Sequence, residues 1–348
     1  MDKSTIIASD NTVLDSGNQR AKGDLEGHSG GDFSTKLEVG LSACLAGQEV
    51  RYNGGHTQSK LCLELLGKHF NFNTFCPEVA AGFGTPRPTM RLVGNPENPT
   101  LQYSNDDKTD LTKQLTQGFV DKLPAFKTLD GYILMKNSPS CGLERVKVYQ
   151  PSGYPDPVRG QGLFAAALKK QYPLMPIEEE GRLHDARLFE NFVLRIYAYH
   201  NFRAEVLAEP SLHNLIQFHS SYKYILMAHH QPTYKKLGSV LGQAKKEHLK
   251  ELIEYYFELF MQALAKPASK KNHTNTLLHI LGYLKKSVPS EARINITEVI
   301  GKYHQGQLPL ITPLTLLKHY LDQYGSEYIR HQRYLSPYPE SLGLANHL

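Results

Sequence analysis

The chain has 348 residues, of which 40% are hydrophobic and 21% charged, with a net charge of +5. That length can fill two hydrophobic cores, and no window approaches the unbroken apolar run that a membrane span needs. Four cysteines are too few for a disulfide framework, and the opening Met1-Asp2-Lys3-Ser4 lacks the basic start and apolar core of a secretion signal. A reducing, cytoplasmic setting is therefore expected.

Residues 1–35 are polar, glycine-containing and without period, and read as a disordered leader. The run 37–43 reads as a first strand and leads into Cys44. The loop 50–56 follows, and Thr57 is expected to start a helix reaching about residue 70, with Cys62 a buried structural thiol within it. A second strand covers 72–76 and ends at Cys76-Pro77-Glu78. The segment 81–88 is too rich in Gly and Pro for regular structure, and Arg87 and Arg91 beside it could hold an anion or orient Glu78. Residues 91–93 and 101–103 suit a small hairpin, and a helix is expected over 109–126. The third strand, 131–136, runs into Ser138-Pro139-Ser140-Cys141-Gly142. A short strand over 146–149, a helix over 162–170 and a strand over 174–178 follow. This alternation predicts an α/β N-terminal domain, residues 36–181, with a mainly parallel, Rossmann-like sheet and right-handed crossovers.

Glu178-Glu179-Glu180-Gly181 reads as a charged break, after which the apolar period becomes helical. Residues 182–348 are predicted to form an all-α C-terminal domain, with helices near 240–265, 272–286, 291–304 and 312–330 and breaks at Pro232, Pro267, Pro289 and Pro309. Charge divides the same way: residues 182–348 hold 20 Lys and Arg against 13 Asp and Glu, whereas residues 1–181 hold 19 against 21. Thirteen of the 16 histidines also lie after residue 181. A basic, His-rich and Tyr-rich half points to a polyanionic partner, with an ordinary basic helical surface as the alternative.

The chemistry rests on Cys44, Cys76 and Cys141, each following a strand-like run. If the strands are parallel neighbours, the thiols meet at the carboxyl edge of one sheet, where such sheets bind ligands. Three thiols suit zinc with an open fourth position, or an iron–sulfur cluster with one iron not ligated by protein. Their separations, 32 and 65 residues, match no zinc-ribbon or ferredoxin spacing. Glu78, two residues from Cys76, can reach the same cavity and act as a general base toward water. Ser42, Ser138 and Ser140 flank the other two cysteines, as hydrogen-bond donors or as turn caps. Asn53, Gly54 and His56 are further pocket candidates. No nicotinamide, flavin or P-loop fingerprint occurs.

Four motifs carry a family resemblance: Ser-Ala-Cys-Leu-Ala-Gly, Val-Arg-Tyr-Asn-Gly-Gly-His, Cys-Pro-Glu-Val-Ala-Ala-Gly-Phe-Gly-Thr-Pro-Arg and Ser-Pro-Ser-Cys-Gly. In order over about residues 37–178, they resemble the thiouracil desulfidase (TudS) family. The resemblance implies a four-iron, four-sulfur cluster held by Cys44, Cys76 and Cys141 with one iron left unligated by protein. It also implies Glu78 and Ser138 as catalytic residues, and non-redox replacement of a thiocarbonyl sulfur by water oxygen. Asn53 departs from the Asp more usual in that family and is given no catalytic role. Glu190-Asn191-Phe192, Leu226-Met227-Ala228-His229, Pro309 to Leu317 and Tyr334 to Pro339 are similar to a helical domain found fused in RudS-type desulfidases, which convert 4-thiouridine in tRNA to uridine. The expected partners are thiolated tRNA or a thiouracil-type small molecule, with no membrane and with homo-oligomerisation left open. In that reading exposed tyrosines such as Tyr222, Tyr224, Tyr234 and Tyr283 would stack on bases. The rivals are turnover of free thiouracil, a non-catalytic RNA-binding iron–sulfur sensor, and a zinc hydrolase.

Overall fold

The computed structural model describes residues 33–106 and 108–346. The leader expected over 1–35 lies outside the described residues, apart from its last three.

Four parallel strands form the main sheet: β1 (Leu37–Ser42), β2 (Phe70–Phe75), β5 (Gly131–Leu134) and β7 (Ile177–Glu179), in the order β2-β1-β5-β7. The chain leaves β1 to lay β2 on one side, then returns to lay β5 on the other. A crevice therefore opens at the carboxyl end of β1, where successive connections diverge. Gly40 in β1 lies opposite Tyr132 in β5, and a methyl group at Gly40 would come within 2.1 Å of the tyrosine ring. Glycine is what lets that ring lie across the sheet.

A second sheet holds β3 (Met90–Asn95), β4 (Asn98–Tyr103) and β6 (Val148–Tyr149), in the order β4-β3-β6. The β3–β4 pair is the expected hairpin, and β6 runs parallel to β3.

Two apolar layers cover the main sheet. On one side Tyr132 packs edge-to-face against Phe126 and Phe164, in a cluster continued by α2 (Thr112–Val120) and α3 (Leu163–Gln171). On the other, Leu37, Val39, Leu41 and Ile133 meet Leu45, Cys62 and Leu66, and also Phe189, Phe192, Val193 and Ile196 of α4 (Ala186–Phe202). The first helix beyond residue 182 is thus part of the cover of the sheet. Asp185 caps it, accepting from Arg187 N and Leu188 N, both at 3.0 Å. Asp130, just ahead of β5, ties the same region together by accepting from Arg203 Nη1 at 2.9 Å and bonding His200 Nδ1 at 3.1 Å.

The remaining helices are α5 (Leu212–His229), α6 (Gln231–Gly242), α7 (Leu249–Leu264), α8 (Lys270–Leu281), α9 (Ser290–His304), α10 (Ile311–Tyr324) and the single turn α11 (Glu327–Arg330); the turn α1 (Pro77–Ala80) lies earlier, after β2. An α/β region followed by an all-α region is the predicted fold class.

Several elements differ from expectation. Thr57 starts no helix, because its hydroxyl accepts from Arg51 Nη1 at 2.8 Å. Ser59 caps instead, accepting from Cys62 N, and the turns over 61–68 are π and 3-10 in form before Phe70 opens β2. The helix expected over 109–126 is α2 followed by a separate 3-10 turn, Leu123–Thr128, with Pro124 at its start. The expected break at Pro232 falls between α5 and α6, with His230 as the cap and Pro232 in the first turn of α6, whereas the helix expected over 240–265 is divided between α6 and α7. Tyr222 and Tyr224 are core residues, so of the four tyrosines considered for stacking only Tyr283 is exposed.

Candidate active site

Cys44 lies in the 3-10 turn Ala43–Ala46 directly after β1, and Cys76 directly follows β2. Cys141 lies at the end of the loop that leaves β5. Because β1 sits between β2 and β5, all three thiols arrive at one edge of the sheet and line a single cavity of about 350 Å³. Glu78, Arg87, Ser42 and Ser138 line it too, as do Arg51, Tyr52 and Lys136.

Each thiol is shaped by burial and by the other two. Burial pushes Cys44 up to about 11, with Cys76 adding to the shift and Arg51 opposing it. Burial raises Cys76, although the backbone N–H groups of Val79 and Glu78, in the first turn after it, bond the thiol and act the other way. Cys141 is raised well above the ordinary thiol range, by burial first and then by Cys76 and Glu78. Holding negative charge on all three sulfurs therefore calls for a strongly cationic group among them.

Three thiols carried on three separate loops around one cavity could each engage a different iron of a cluster. Beneath them the fully buried Tyr132 hydroxyl has no hydrogen-bond partner, and the charges of all three cysteines act on it. A polar atom orphaned there is accounted for by a polar group among the sulfurs.

The carboxylate is held from both sides. Ser140 Oγ donates to Glu78 Oε1 at 2.8 Å, and Arg87 Nη2 pairs with Glu78 Oε2. Arg87 also donates to the carbonyls of Val50 (3.0 Å) and Gly84 (2.8 Å), joining the loops on either side of the cavity. Ser138 behaves differently: its hydroxyl accepts from Ser140 N (3.2 Å) and Cys141 N (3.0 Å), shaping the turn that presents Cys141. Ser42 accepts from Met135 N at 3.0 Å and its hydroxyl also bonds the Cys141 thiol.

Asn53 and His56 do not reach the cavity, their side chains being used within their own loop to bond Gly55 N and Gln58 N. Cys62 is in the core and away from it. Glu179 is a supporting residue that the sequence places in a charged break. It is buried in β7, and its Oε1 accepts from Leu143 N (2.8 Å) and Glu144 N (3.2 Å), pinning the chain just after Cys141. Its signal was there in outline, as a carboxylate at the carboxyl end of a strand adjoining β5.

These features define a ligand-binding α/β unit of the open-sheet type, with a thiol-lined pocket and an anchored carboxylate at its switch point. Residues 39–180 match the 2-thiouracil desulfurase family, and residues 223–339 match DUF1722, described as a protein of unknown function. The chain is 32% identical over 161 residues to the uncharacterized protein YbgA of Escherichia coli (strain K12), covering 45% of this chain and 94% of that protein. It is also 32% identical over 136 residues to the uncharacterized protein YbbK of Bacillus subtilis (strain 168), covering 37% and 88% respectively. A solved structure described as a 4Fe-4S-dependent thiouracil desulfidase, TudS, is 29% identical, covers 45% of this chain and all of its own, and aligns with a TM-score of 0.36. The chain belongs to the 2-thiouracil desulfurase family, fused to a DUF1722 region, as its four motifs implied. Among the described residues no helix is long and apolar enough to cross a membrane.

Proposed function

We propose that this protein is an iron–sulfur-dependent desulfidase that converts 4-thiouridine in tRNA to uridine and releases sulfide. The observation that carries the reading is the convergence of Cys44, Cys76 and Cys141 on one cavity beside the anchored Glu78, in a chain of the 2-thiouracil desulfurase family. Cys44, Cys76 and Cys141 would hold a 4Fe-4S cluster with one iron not ligated by protein. Held there, the cluster would supply Lewis acidity toward a thiocarbonyl sulfur.

The rest of the reaction falls to the chain. Glu78 is the general base: Arg87 and Ser140 fix both its oxygens, so the carboxylate stays beside the thiols ready to take a proton from water. Water oxygen bonds to the carbon as the carbon–sulfur bond breaks, and sulfur leaves as sulfide with no net oxidation. Ser138 is assigned a part in catalysis through the Cys141 turn, whose backbone N–H groups its hydroxyl accepts. The apolar part of the lining, Phe75, Met90 and Met135 among it, limits competing water.

The test is a single-turnover assay on oxygen-free, reconstituted protein with 4-thiouridine-containing tRNA, following loss of the near-ultraviolet thiocarbonyl band and sulfide release. Loss in the wild type but not in Cys76→Ala, and 10²- to 10⁴-fold slower loss in Glu78→Gln at unchanged iron content, is expected. A brown protein that binds the tRNA and leaves the band intact would refute the enzyme reading in favour of a sensor. The family description and the name of the solved relative favour a second reading, free thiouracil as substrate. Turnover of the free base with none of tRNA would select it.

A further inference from the structure

A groove of about 650 Å³ adjoins the thiol cavity and shares Met90, Asn137 and Pro139 with it as common walls. Four cations line the groove, namely Arg91, Arg145, Lys147 and Arg159, and no acidic side chain does. Among the described residues none of the four is in an ion pair. Arg145, Lys147 and Arg159 are exposed. Arg91 lies over the Tyr149 ring at 5.4 Å, and its Nε is buried with no hydrogen-bond partner. Arg145 holds this position with φ of 60°, a left-handed backbone that few non-glycine residues adopt. The loop behind Arg159 carries Tyr154, whose 75% exposure is the highest among the large hydrophobic residues exposed in the described structure.

Four like charges gathered without a counter-ion repel one another, and a fold keeps such a cluster at a cost unless an anion relieves it. Four cations lining one groove are more than a single phosphate needs, and a repeating polyanion can bring a phosphate to each of them. The exposed Tyr154, next to the Pro155 that bridges to Tyr149 of the groove wall, adds a surface on which a base can stack.

We propose that the β3–β6 face of the N-terminal region is an RNA-backbone groove. Arg91, Arg145, Lys147 and Arg159 take successive phosphates of a strand whose neighbouring nucleotide enters the thiol cavity, and Tyr154 provides a stacking surface. The proposal rests on the desulfidase reading for the identity of that nucleotide, but the binding itself does not depend on it.

The experiment measures binding of unmodified tRNA to the full-length chain by fluorescence anisotropy at several salt concentrations. The triple variant Arg145→Asn, Lys147→Gln, Arg159→Gln removes three exposed charges, with Asn chosen where the backbone is left-handed. A control variant, Lys113→Gln, Lys122→Gln, Lys169→Gln, removes the same charge elsewhere on the N-terminal region, and thermal midpoints verify that both fold. The groove variant is expected to bind tenfold or more weakly, with a log–log salt slope shallower by about 2, since each phosphate contact to a single strand contributes about 0.7. The control should match the wild type. Equal losses in both variants, unchanged binding in the groove variant, or a wild type that binds no tRNA would each overturn the proposal. Because the probe carries no sulfur, a protein that releases no sulfide from thiolated tRNA but shows this binding pattern would refute the function proposed above and leave the groove standing.

Discussion

Gly40→Ala tests whether the sheet beneath the thiols is as tightly set as its packing implies. The added methyl would lie 2.1 Å from Tyr132 Cδ2 and 2.3 Å from Cε2, about 1.3 Å short of ordinary contact. The ring cannot withdraw, since Phe126 and Phe164 pack edge-on against it, and β1 cannot withdraw, since β2 and β5 hold it on both sides. Overpacking of this kind costs about 3 kcal/mol, the upper end of what well-packed cores show. At roughly 3 °C per kcal/mol the thermal midpoint should fall by about 10 °C. Strain there also reaches Cys44, four residues on, so iron content after reconstitution should drop. Calorimetry on Gly40→Ala, Tyr132→Leu and the double variant supplies the check. If the ring is the obstacle, the double variant recovers part of the loss and the two changes are non-additive. A Gly40→Ala protein within 0.5 kcal/mol of wild type would refute the argument.

The two serines beside Cys141 should separate cleanly. Ser138→Ala removes the acceptor for Ser140 N and Cys141 N, costing about 1 kcal/mol and lowering iron loading, both readable by denaturation and iron assay. Ser140→Ala frees one oxygen of Glu78 and should slow single turnover about tenfold at normal iron content. Asp130→Ala leaves Arg203 and His200 without their carboxylate and should cost about 3 kcal/mol in urea denaturation. Burial holds His219 and His229 down at about 4, with Lys223 and Arg195 respectively adding to the effect, so the folded state resists protonation that the unfolded chain accepts near 6.5. Their contribution is complete above pH 6.5 and is lost as pH falls toward 4, by at most about 3 kcal/mol each. A stability profile flat across that window would contradict their burial.

The thiol trio was legible because each cysteine closes an apolar run short enough to be a strand, and parallel order brings strand ends together. Glu78 was legible for the same reason, being two residues past a strand end. What stayed hidden depended on partners distant in sequence. Thr57 reads as a helix cap until Arg51 takes its hydroxyl, and Ser138 and Ser140 read alike until Glu78, some 60 residues earlier, chooses one of them. Three consecutive glutamates look solvated in one dimension. In three, Glu179 bonds the turn after Cys141, Glu178 pairs with Arg182, and Glu180 accepts from Ser59 Oγ. Tyr222 and Tyr224 carry no local mark of burial, because helix α5 is apolar on more than one side.

The chain passes from β7 into α4 through one five-residue turn, and α4 then roofs the sheet with Phe189, Phe192, Val193 and Ile196. A cut at residue 182 would therefore strip that roof, and a truncated protein would report its own collapse rather than the role of the missing half. With a shared beam where a hinge would otherwise be, a substitution on the inner face of α4 bears on the strands that carry the thiols as directly as one in the sheet itself.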